Sequence, residues 1–247
     1  MKRLLFRFAV VSAFLVTGLV TSAAAQDFQK SYSINPGGSV HIGTISGNVV
    51  VTAYNGNEIL VSGFKEGRDR DLVDFKDKSS ANRVDVGVDY PKECRCDASV
   101  RFEVMVPSGV NYNFEGISSV SGDVKVNGVT GYLKASSVSG DVEVREVTGA
   151  VSASSVSGDV SVEISRFEGN EDMKFTSVSG DVNVRLPSSL GADVDMSSLS
   201  GSIRTDFPIE VKKERYTSRK SARGRVGDGS RSLRITSVSG SLSLLYL

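Results

Sequence analysis

From Val120 onward the chain returns to the same residues every nine positions, and few folds accommodate that. Gly122, Gly131, Gly140, Gly149 and Gly158 each follow a Ser or a Thr. Alternate units are nearly identical, so the full repeat is eighteen residues: SSVSGDVKV, SSVSGDVEV and SSVSGDVSV. Looser copies follow as TSVSGDVNV (176–184), SSLSGSIRT (197–205) and TSVSGSLSL (236–244). A short fixed period marks a solenoid, in which each rung buries its apolar face only against its neighbours.

Within a unit, apolar residues stand two, usually four, and seven places after the glycine, as at Val124, Val126 and Val129. Steps of two put side chains on one face of a strand. Short Val-rich segments favour strand over helix. The Ser/Thr-Gly corners are predicted to bend, with glycine supplying positive φ. The predicted fold is therefore all-β, a single parallel β-solenoid of short 18–22-residue rungs; the period does not select its hand. Val124, Val142, Val160 and Val182 are predicted to form one buried stack. Val120, Val138, Val156, Val178, Leu199 and Val238 are predicted to form another, with the flanking serines (Ser119 and Ser121 in the first rung) pointing outward.

Residues 1–25 read as a secretory signal: Lys2, Arg3 and Arg7, an apolar run from Phe8 to Val20, then Ala23-Ala24-Ala25. That run is short for a bilayer span, and no other stretch is long enough, so no membrane span is expected in the mature chain. Residues 26–116 form an N-terminal β region with the first irregular rungs. Residues 117–247 form the regular repeat, with a basic insertion at 206–231. The whole chain carries 29 basic and 29 acidic residues; losing the signal leaves 26 against 29. Such near-neutrality argues against nucleic acid as a partner. The expected location is periplasmic, extracellular or at the cell surface.

The start GGSVHIGTISGNVVV, the strand ending in a VMVPSGV turn, the serial VSGDV rungs and the late GRVGDGSRSLRITSVSGS come in a distinctive order. Over roughly residues 34–247 that order resembles the bacterial DUF4097 family of adhesin-like β-strand-repeat proteins. The resemblance implies a secreted or envelope-associated β-solenoid without a defined catalytic site.

Asp123, Asp141, Asp159 and Asp181 follow the corners one per rung. They read as turn caps, with weak cation binding as the alternative. Cys94 and Cys96 are the only cysteines. They could form a local disulfide, stay free or link chains, or bind a soft metal. Lys212, Lys213, Arg215, Arg219, Lys220, Arg223, Arg225 and Arg231 meet only Glu214 and Asp228 among acids in their own span. This segment is either a solvated edge cover or a contact for anionic polymers. The sole histidine, His41, sits between Val40 and Ile42 and reads as an outward strand residue. No catalytic residue, metal or cofactor is expected. The expected function is a non-catalytic, adhesin-like or envelope interaction module, its partner an anionic cell-envelope polymer or another envelope protein. A polysaccharide-acting enzyme on a β-helix and a structural spacer are the alternatives.

Overall fold

The computed structural model describes residues 26–213 and 218–247; the signal segment and Arg215 lie outside them. The chain runs through β1 (Phe28–Tyr32), β2 (Ser39–Ser46), β3 (Val49–Tyr54), β4 (Ile59–Glu66), β5 (Asp74–Asp77), β6 (Arg83–Asp89) and β7 (Ser99–Pro107). The repeat region supplies β8 (Asn111–Ser121), β9 (Val124–Asn127), β10 (Thr130–Ser137), β11 (Val142–Thr148), β12 (Val151–Ser154), β13 (Val160–Arg166), β14 (Met173–Ser177) and β15 (Val182–Leu186). It closes with β16 (Ala192–Ser198), β17 (Ile203–Thr205), β18 (Val211–Lys213), β19 (Lys220–Val226), β20 (Arg231–Ser237) and β21 (Leu242–Tyr246). One short 3-10 turn, Arg70–Leu72, interrupts the strands among the described residues.

Each rung contributes one strand to each of two faces. The first face runs β5–β6–β2–β8–β10–β12–β14–β20–β16–β19–β18. The second runs β1–β4–β7–β3–β9–β11–β13–β15–β21–β17. Pairing between rungs is parallel, but the ends are not. Antiparallel pairs β1–β4, β4–β7, β5–β6, β16–β19 and β18–β19 correct the expectation of a purely parallel solenoid. These outer strands cover sheet edges that would otherwise template other chains.

Rung order in space departs from order in sequence at both ends. Rung β2–β3 lies between β6–β7 and β8–β9. Rung β20–β21 lies between β14–β15 and β16–β17. The final segment therefore does not close the solenoid, as its position in the chain suggests, but fills a gap inside it.

The Val124, Val142, Val160, Val182 stack is fully buried. The second expected stack is not: Val120, Val138, Val156, Val178, Leu199 and Val238 are exposed. In their place Ser119, Ser137, Ser155, Ser177, Ser198 and Ser237 point inward. Each donates its hydroxyl to a glycine carbonyl in the neighbouring rung, as in Ser137 Oγ to Gly122 O at 2.8 Å and Ser155 Oγ to Gly140 O at 2.8 Å. A corner carbonyl that leaves the strand ladder needs a donor, and a buried carbonyl without one is costly. Serine supplies that donor and the adjacent valine is turned out. The same corners show why glycine is needed there. A Cβ on Gly140 would sit 2.3 Å from Gly122 O, so the residue makes room for the next rung; positive φ occurs instead at Gly131 (123°) and Gly149 (135°).

Candidate functional site

The aspartate column is a hydrogen-bonding spine. Asp123 Oδ1 accepts the amide of Asp141 at 3.1 Å, Asp141 Oδ1 that of Asp159 at 2.8 Å, and Asp159 Oδ1 that of Asp181 at 2.8 Å. Asn48 begins the series by accepting from Asp123, and Asp181 passes it on to Ser241. Each carboxylate thus joins two rungs rather than closing its own turn. Among the described residues no group of three or more His, Cys, Asp or Glu side chains is gathered as a metal site. Cys94 and Cys96 form a bridge within the loop before β7, their Cα atoms 5.1 Å apart. His41 points outward on β2, in register with Asp85, and makes no hydrogen bond to Asp85 or to a serine among the described residues.

The basic segment folds onto the sheet. Its second half becomes β19, antiparallel to β16, and there it meets acids from well upstream. Arg225 donates to both carboxylate oxygens of Asp193, at 2.8 and 3.0 Å. Arg223 lies 3.0 Å from Asp195, and Arg234 approaches the same carboxylate at 3.9 Å. Lys212 pairs with Glu210 at 3.4 Å, Lys220 donates to Ser202, and Arg219 to Ser197. Arg231 stacks on the Phe167 ring at 4.5 Å. The hydrogen bond from Arg225 holds the Asp193 carboxyl below the usual carboxylate range.

Arg223, Arg225 and Arg234 belong to a larger surface, the outward side of the first face. On it Lys134 (β10), Ser152 (β12), Lys174 (β14), Arg234 (β20), Asp195 (β16) and Arg223 (β19) stand in register, one per strand. A parallel rank of hydroxyls runs beside them through Ser118, Ser136, Ser154, Thr176, Thr236 and Ser197. Lys134 and Lys174 form no ion pair among the described residues. Between them β12 carries only small outward side chains. The result is a shallow depression of about 330 Å³, lined by Tyr132, Lys134, Ser152, Ser154, Lys174 and Thr176. The second face is different: Glu143 takes both Lys125, at 3.5 Å, and Arg145, so its charge is compensated locally.

Sequence reading isolated the basic segment but missed this rank. The signal was present: aligned on the repeated Ser-x-Ser-Gly corner, the residue five places before the glycine's preceding serine is Lys134, Ser152, Lys174, Asp195 and Arg234. Along the chain these lysines are single and inconspicuous, and only the rung register gathers them into a row.

The carboxylate moved furthest is Asp77, at the far end. Burial alone would raise it, but hydrogen bonds from Lys30 (2.5 Å), Ser79 and Tyr32 (3.0 Å) hold it well below its ordinary value. Burial, foremost, raises the Tyr32 phenol in turn. These groups pin β1 to β5, a structural task.

A family profile described as Toastrack DUF4097 matches residues 107–245, more than half of the chain. No curated protein matches. Among solved structures, the chain is similar to a "putative cell adhesion protein" from Clostridium sporogenes ATCC 15579, at 12% identity and a TM-score of 0.47, covering 89% of this chain and 99% of that one. It is also similar to a "putative adhesin" from Bacteroides fragilis NCTC 9343, at 15% identity and a TM-score of 0.31, covering 89% of this chain and 96% of that one.

Proposed function

The chain belongs to the Toastrack DUF4097 family, and from that premise we propose that it is a non-catalytic, adhesin-like interaction module of the cell envelope. In this reading its amino-terminal segment exports it, and it acts in the periplasm or at the cell surface on an anionic envelope polymer. The supporting observation is the first face, where a rank of hydroxyls runs in register from β8 to β16 and a rank bearing the cations runs beside it from β10 to β19. An ordered surface with excess positive charge suits an extended polyanion. A glycosidase would instead need a raised carboxyl as its acid opposite a second carboxylate. Asp193 and Asp195, the acids that β16 presents on this face, are held by arginines.

Retention of the purified protein on beads coated with an anionic polysaccharide tests the reading. Binding is expected at low salt and release near 1 M, where the screening length is about 3 Å. The length of the recovered polymer is expected to be unchanged. Equal retention on neutral beads, or shortened polymer, would count against a charge-reading, non-catalytic module.

A further inference from the structure

We infer that Lys134 and Lys174 form a two-point clamp that seats one acidic sugar of such a polymer over Ser152. This rests on the reading above and makes it specific. The two lysines stand on β10 and β14, both in register with Ser152 on the strand between them. Two strand spacings separate their backbones, about 9.6 Å. That gap admits a monosaccharide and lets both ammonium groups reach one anionic substituent.

The cations further along this rank are already engaged: Arg234 and Arg223 both approach Asp195. Lys134 and Lys174 are exposed and lack such a partner among the described residues. The one carboxylate on the strand beyond Lys134, Glu115, is drawn away by Arg83 at 2.6 Å and Ser39 at 2.9 Å. Two like charges facing one trough without a counter-charge are electrostatically complementary to an anion.

The rest of the depression fits a sugar. Ser154 offers a hydroxyl that can donate and accept, while Ser152, which donates to the Lys174 carbonyl at 3.4 Å, and Thr176, hydrogen-bonded to Thr236 at 3.3 Å, keep accepting capacity. Tyr132 presents an aromatic ring and a polar tip at one end. Lysine's flexible, point-like charge suits a carboxylate or phosphate whose orientation varies along a polymer, whereas arginine would demand a fixed fork. The shared chemistry is an anionic group on a sugar ring or its linkage.

The test titrates the wild-type protein and the K134M, K174M and double variants by calorimetry. The probes are trigalacturonate for the carboxylate, a phosphorylated maltotriose for the phosphate and maltotriose as the neutral control. Methionine keeps an apolar stem while removing the charge, and surface changes of this kind leave the thermal midpoint within about 2 °C. The wild type is expected to bind at least one anionic probe and not maltotriose. Each single variant should lose about 3-fold and the double variant at least 10-fold in affinity. Which anionic probe binds identifies the group. Undiminished binding by the double variant would overturn the clamp while leaving a polyanion-binding module intact. Wild-type binding to neither anionic probe, together with failure on the beads, would overturn both.

Discussion

Removal of residues 231–247 is expected to unfold the carboxyl-terminal third of the molecule, not merely to shorten it. In a simple solenoid the last rung touches one neighbour, and its loss costs one interface. Here β20 pairs with β14 on one side and β16 on the other, while β21 pairs with β15 and β17. Leu233, Ile235, Leu242 and Leu244 are all buried in that position. At roughly 1.5–3 kcal/mol for each buried side chain, their loss amounts to about 6–12 kcal/mol before entropy is counted. That is comparable to the whole stability of an ordinary domain, about 5–15 kcal/mol. The truncated chain would leave β16, β17 and β19 with no rung to lie against, separated from β14 and β15. Limited proteolysis should then cut rapidly within residues 192–226, and urea unfolding should show a smaller slope. Protease resistance in that segment, equal to the full chain's, would mean that rung order follows the sequence.

The second large effect separates two valines that the repeat treats alike. Val142 is fully buried and Val138 is 44% exposed. Val142→Asp places a carboxylate in a core formed by Val124, Val160 and their neighbours, with no partner in reach. Burying an unpaired charge should cost more than about 4 kcal/mol. Val138→Asp puts the same group into water at the corner, where about 0.5 kcal/mol or less is expected. Thermal melts of the two proteins measure the contrast. Similar losses in both would mean that the corner valines are buried after all.

That contrast also shows what could be read from residues alone. The nine-residue spacing of glycine and the step of two at Val124 and Val126 are backbone periodicities, so they carry directly into strands and into the buried Val124 stack. Hydrophobicity misassigned the corner because a different requirement wins there. The Gly122 carbonyl needs a hydroxyl donor, and Ser137 meets it by pointing inward, which turns Val138 out. Rung order was invisible for a related reason. The corner TSVSGS at 236–241 is interchangeable with its relatives, so nothing local says that Gly240 stacks on Gly180 and Gly201 on Gly240. The candidate site was half legible. The basic residues stood out, but Asp193 and Asp195, which engage Arg225 and Arg223, lie about 30 residues earlier and become neighbours only through the β16–β19 pairing. Reversing Arg223 and Arg225 would set like charges opposite one another and loosen that edge, so Lys134 and Lys174 are the cleaner positions for probing binding.

Lysine acetylation footprinting of the whole protein, with and without an anionic polysaccharide, tests most directly whether the first face carries the interaction. Lys134 and Lys174 point from that face, and Lys125 points from the other, beside Glu143. Bound polymer is expected to slow acetylation of Lys134 and Lys174 several-fold at low salt, to lose that effect near 1 M salt, and to leave Lys125 unchanged. Protection of Lys125 with Lys134 and Lys174 reacting at their free rates would contradict the assignment of the binding face.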